Sequence, residues 1–74
     1  NPTTIINWQT PISGHQILKV YDALGNEVAT LVDEFREAGR YEIELDASSL
    51  SSGVYFYRLQ AGDFVQTRKM ILLK

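Results

Sequence analysis

The side chains that could do chemistry in this chain are few and poorly arranged for it. The 74 residues include one histidine and no cysteine. His15 follows Gly14 in an expected turn, and Ser48, Ser49, Ser51 and Ser52 form a second turn with no base placed to activate a hydroxyl. Glu42 and Glu44 alternate onto one solvent-facing side of a strand, without the burial that would raise one carboxyl for general acid work. The stretch Asp22-Ala23-Leu24-Gly25-Asn26-Glu27 offers oxygen atoms to calcium, but not at the ligand spacing of an EF-hand loop. Gly25 and Asn26 suit a hairpin that needs positive φ, so a turn is the preferred reading and an accessory cation site the alternative. The expectation is a non-catalytic chain with no metal and no cofactor.

Composition narrows the partners. The absence of cysteine removes disulfides and thiolate zinc sites and leaves the redox compartment open. A net charge of −2, with little basic residue interleaved in the aromatic strand beyond Arg58, argues against nucleic acid. No apolar run reaches the ~18 residues of a membrane span, and no signal-peptide pattern is present. Asn1-Pro2-Thr3 cannot accept an N-glycan because proline holds the middle position. Charge is nonetheless uneven. Glu27, Asp33, Glu34, Glu37, Glu42, Glu44 and Asp46 face only Arg36 and Arg40, whereas Arg58, Arg68, Lys69 and Lys74 face only Asp63. Ordinary solvated faces would look like this, and so would a basic C-terminal face offered to a partner.

Short strands must position all of these groups. Period-two alternation is clearest in Arg40 to Asp46, with Tyr41, Ile43 and Leu45 on one face and the charged residues on the other. Similar runs at Thr4 to Gln9, Gln16 to Asp22, Glu27 to Val32, Val54 to Gln60 and Phe64 to Leu73 bring the expected count to six strands. Asp33 to Ala38 reads as a polar connector. The connectors at Pro11 to Gly14, Ala23 to Asn26 and Ala61 to Asp63 are too short for crossover helices, so pairing is antiparallel. An all-β, immunoglobulin-like sandwich of six to seven strands follows, as one small domain over residues 1–74. Its expected core is Ile5 or Ile6, Val20, Leu31, Tyr41, Ile43, Leu45, Tyr55, Tyr57 and Leu59, with Trp8 packed inside and Val54 and Phe56 partly exposed on the wetter face beside Arg58 and Gln60.

The most telling segment is Leu50 to Lys74: a glycine-initiated aromatic strand, a tight turn, and a strand whose end, Met70-Ile71-Leu72-Leu73, reaches the C-terminus. Together with Asn1-Pro2-Thr3-Thr4-Ile5, Pro11-Ile12-Ser13-Gly14, Lys19-Val20-Tyr21-Asp22 and Leu24-Gly25-Asn26-Glu27-Val28, it resembles the type A C-terminal sorting domain of the type IX (Por) secretion system. The resemblance covers essentially the whole chain. It implies the end of a longer secreted protein, which the unusual start at Asn1 also suggests, with a signal peptide and an N-terminal passenger upstream. It implies as partners an outer-membrane translocon and a sortase-like surface protease, and as location the cell surface or extracellular space, reached through the periplasm. Matched to the family's motifs, the recognition residues are Gly53, Val54, Tyr55, Arg58, Lys69, Ile71, Leu73 and Lys74, and Pro11 and Gly14 match its early turn.

Two other readings stay open. Trp8 or exposed tyrosines could bind polysaccharide if they formed a coplanar exposed row. A structural immunoglobulin-like module is the other, similar to the flagellar hook-cap assembly domain, with which the chain shares its Leu-Gly-x-Glu-Val and Gly-Val-Tyr-Phe-Tyr-like pieces.

Overall fold

A computed structural model describes residues 3–73, and every regular element in it is a strand. The order is β1 (Thr3–Thr10), β2 (Gly14–Asp22), β3 (Glu27–Arg36), β4 (Gly39–Asp46), β5 (Gly53–Ala61) and β6 (Phe64–Leu72). All pairings are antiparallel, and they divide into a two-stranded sheet, β1-β4, and a four-stranded sheet, β3-β2-β5-β6. The Cα extents of 35 × 24 × 16 Å fit two stacked layers, because packed sheets lie ~10 Å apart. The fold is thus the expected all-β, immunoglobulin-like sandwich.

Turn chemistry fixes the hairpins. Between β5 and β6 a two-residue loop places Gly62 at φ +60° and Asp63 at negative φ, the arrangement of a type II′ turn. Between β2 and β3, Asp22 accepts hydrogen bonds from the amides of Leu24 (3.0 Å) and Asn26 (2.9 Å), while Gly25 takes the positive φ of +91°. Asn26 keeps a negative φ, so only glycine fills the left-handed position that sequence reasoning had shared between the two.

Where the chain crosses between sheets, a tyrosine ties the corner. Tyr41, early in β4, donates its hydroxyl to the Glu37 carbonyl, and Tyr55, early in β5, donates to the Ser51 carbonyl at 2.7 Å. Both span four residues, the geometry of the tyrosine corner of immunoglobulin sandwiches. At the same end as Tyr41, the Ala38 amide donates to Ser13 Oγ and ties the β3–β4 corner to the β1–β2 corner.

The core is Ile6, Trp8, Leu18, Val20, Val32, Leu45, Ala47, Tyr55, Leu59 and Leu72. Ile6 rather than Ile5 turns inward, and Trp8 is buried as expected. Tyr41 and Ile43, on β4 at an edge of the smaller sheet, and Tyr57, on the inner face of β5 that two strands cannot wholly cover, pack against this cluster half-buried.

The largest departure lies in β3. It continues through the expected connector to Arg36; Leu31 packs half-buried against the core as expected, but Val32, which was not expected there, is the fully buried residue. Its register against β2 slips twice: Leu18 faces Val32 but Lys19 faces Thr30, and Val20 faces Ala29 but Tyr21 faces Glu27. Leu31 and Val28 are the extra residues of two bulges. Ala29 and Val32 can therefore both face inward, which an uninterrupted strand forbids for residues three apart. His15 also departs from expectation: it sits within β2, where its ring pairs with the Asp33 carboxylate on β3.

Candidate functional site

The residues matched to the terminal motifs converge on the outer face of the four-stranded sheet. Val54 faces Ile71, Phe56 faces Lys69 and Arg58 faces Thr67 across β5 and β6. Across β5 and β2, Phe56 faces Tyr21 and Arg58 faces Lys19. Facing pairs share a side of the sheet, so Lys19, Arg58 and Lys69 form a basic centre beside an apolar end made by Tyr21, Val54, Phe56 and Ile71. Val54 is 37% exposed and Ile71 59%, so this end is open to solvent. A shallow depression of about 140 Å³ lies between Ile17, Lys19, Tyr21, Arg58 and Gln60.

The charges on this face are not equivalent. Lys19 Nζ donates to Glu27 Oε1 at 2.9 Å, which raises the lysine pKa and lowers that of Glu27. Arg58 and Lys69 have no carboxylate partner among the described residues and remain available to an anion.

Other matched residues lie elsewhere. Tyr55 is buried, so its role is to hold the core and the β4–β5 corner. Gly53 opens β5 opposite Leu72, and a Cβ there would meet no atom within 4 Å, so crowding does not explain the glycine. Leu73 is 85% exposed just past β6, and Lys74 lies outside the described residues. Pro11 sits in the corner between the sheets and Gly14 begins β2 opposite Arg36. Lys19, Tyr21 and Phe56 join the face without having been singled out as site residues. Their alternation was visible, but the β2–β5 pairing that aligns them was not.

No group of three or more His, Asp or Glu side chains converges among the described residues. The Asp22 carboxylate is engaged by the turn: the Asn26 amide, the largest cause, lowers its pKa, assisted by the Asn26 side chain and the Leu24 and Gly25 amides. With Asp22 and Glu27 both depressed, their contribution to stability is present above the ordinary carboxylate range and is lost as pH falls from that range through their lowered values. Asp22→Ala should therefore flatten the acid limb of a melting temperature against pH profile. An unchanged limb would show that the turn does not hold the carboxylate. Trp8 and Tyr41 stack at 5.5 Å between the sheets, with the Arg36 guanidinium over both rings, so they do not form an exposed sugar-binding row.

The family model of the secretion-system C-terminal sorting domain (Por secretion tail) matches residues 1–73. The chain belongs to this type IX sorting-domain family. Membership implies export to the cell surface or extracellular space, and type IX machinery as the partner. No curated protein and no solved structure gives a match. Among the described residues, no helix is long and apolar enough to cross a membrane. In this sorting domain, β6 forms one edge of the larger sheet, so the motif that marks the family's C-terminus also has one unpaired backbone side.

Proposed function

We propose that this chain is the C-terminal domain of a longer secreted protein and acts as a non-catalytic, folded export signal. The upstream passenger enters the periplasm by its own signal peptide. An outer-membrane type IX translocon then recognises the sorting domain and passes the passenger to the surface, where a sortase-like protease removes the domain. The family match over residues 1–73 carries this reading. The outer face supports it locally, because Val54, Arg58, Lys69 and Ile71, from two separate motifs, fall together there beside unpaired charge. Recognition by such a face would draw on apolar burial at one end and ion pairing at the other.

The test is a fusion of signal peptide, neutral passenger and this domain in a host with a compatible type IX system, read as surface-exposed passenger. The wild-type domain should export it. Arg58→Ala combined with Lys69→Ala should sharply reduce export while leaving the fold intact, since exposed substitutions typically shift stability by no more than ~0.5 kcal/mol. Undiminished export by the folded double variant rejects the basic face. Failure of the wild-type domain in that host makes the structural-module reading the better one.

A further inference from the structure

The two-stranded sheet is too narrow for the sheet it covers. Strands in a sheet lie ~4.8 Å apart, so two strands leave a width of about 10 Å of the four-stranded inner face without a strand above it. Part of that uncovered width lies beside β1. A groove of about 300 Å³ runs there between Trp8 and Pro11 on one wall and Phe64 and Gln66 of β6 on the other, with Arg68 at its side. It continues past Arg68 into a second cavity of about 390 Å³ reaching Arg40 and Tyr41.

Three features of this groove point to one kind of occupant. First, β1 pairs only with β4, and no backbone hydrogen bond reaches its other edge among the described residues. A free edge of this kind is a template for an added strand. Second, each wall carries an apolar side chain, Trp8 on one and Phe64 on the other, and an added strand would turn alternate side chains between them. Third, neither Arg68 nor Arg40 has a carboxylate partner among the described residues, and no acidic side chain lines either cavity. Glu42, two residues beyond Arg40 on β4, lines an adjoining depression that shares Asn7, Arg40 and Tyr41 with the second cavity, so the cation that counts is Arg68.

We infer that β1 and this groove receive an extended acidic segment of another protein, which adds to β1 as a third strand, sets an apolar side chain over Trp8 and Phe64, and places a carboxylate on Arg68. Charge complementarity selects a foreign segment over a symmetric pairing of two β1 strands. The β1 sequence Thr-Thr-Ile-Ile-Asn-Trp-Gln-Thr carries no carboxylate to offer a partner copy's arginine. This site is separate from the outer face, on the opposite side of β6.

The chain contains a single tryptophan, so Trp8 emission reports the groove directly. The probe is the blocked heptapeptide Thr-Val-Glu-Val-Glu-Val-Thr, titrated into the 74-residue chain at low salt while Trp8 fluorescence and backbone amide shifts are followed. Saturable binding is expected, with shifts concentrated in β1 and at Phe64 to Arg68. The same peptide with lysine for glutamate should bind at least about tenfold more weakly, as should a version with proline at the central valine, which cannot complete the ladder. Arg68→Gln, with an unchanged melting temperature, should weaken the acidic peptide by about tenfold or more. Equal binding of the lysine peptide, shifts confined to the β3 or β4 edges, or no response at millimolar peptide would overturn the inference. So would concentration-dependent self-association through β1 in sedimentation, which would make a second copy the occupant.

Discussion

Tyr55→Ala is expected to cost roughly 3–5 kcal/mol, the range for truncating a large aromatic in a packed core. Native domains are stable by ~0.05–0.15 kcal/mol per residue, so this chain holds only about 4–11 kcal/mol in total and the variant should lose a large share of it. The residue is 5% exposed, faces Met70 across β5 and β6, and anchors the β4–β5 corner through its hydroxyl. Tyr55→Phe separates the two roles. It keeps the ring and removes only the 2.7 Å bond to the Ser51 carbonyl, so a loss of about 0.5–1.5 kcal/mol is expected. Urea unfolding with a common slope measures both. A cost under about 1.5 kcal/mol for Tyr55→Ala would contradict its place in the core.

Trp8 should show a second large effect, one that depends on its partner. Its indole N–H donates to Gln16 Oε1 at 3.2 Å, and Gln16 is fully buried with its Nε2 atom lacking a protein partner. Trp8→Ala removes a ring that stacks on Tyr41 across β1 and β4 and bonds Gln16 of the other sheet, at roughly 3–5 kcal/mol. Trp8→Phe keeps an aromatic body but strands the Gln16 oxygen, at about 1–3 kcal/mol. Adding Gln16→Leu to Trp8→Phe should recover much of that loss, because replacing both partners by apolar groups removes the unsatisfied polar atoms. Strict additivity in this double-mutant cycle would show that the two side chains are not coupled.

The strands that alternation located well, β4 and β5, each have one covered face and an unbroken register. In β3 the same reasoning found Leu31 but not the more deeply buried Val32, because a bulge changes which residues face inward without changing their types. The polar run Asp33-Glu34 read as a connector for a related reason. At a sheet edge charged side chains suit a strand, since they discourage pairing with other chains. The outer face was half legible: Val54 with Arg58, and Lys69 with Ile71, follow from period two within single strands, while Lys19 joins them only through a pairing between distant segments. Arg68 was visible only as one of the C-terminal basic residues, because the groove around it is made by β1, far away in the chain.

The two sheets share side-chain packing and connecting loops, and their pairings nest: the β2–β3 hairpin lies wholly within the chain that separates β1 from β4. Closing the loop between Thr10 and Gly39 is entropically costly for an open chain, yet that cost shrinks once the inner hairpin has formed and brought Gly14 beside Arg36. The order of assembly this favours is inner hairpin first, then β1 onto β4, with β5 and β6 adding to β2 last. Without β5 and β6 the chain has only two two-stranded layers, each marginal on its own, and lacks Tyr55, Leu59 and Leu72 between them. Addition of β5 and β6 is thus the event that turns two loose layers into one rigid body.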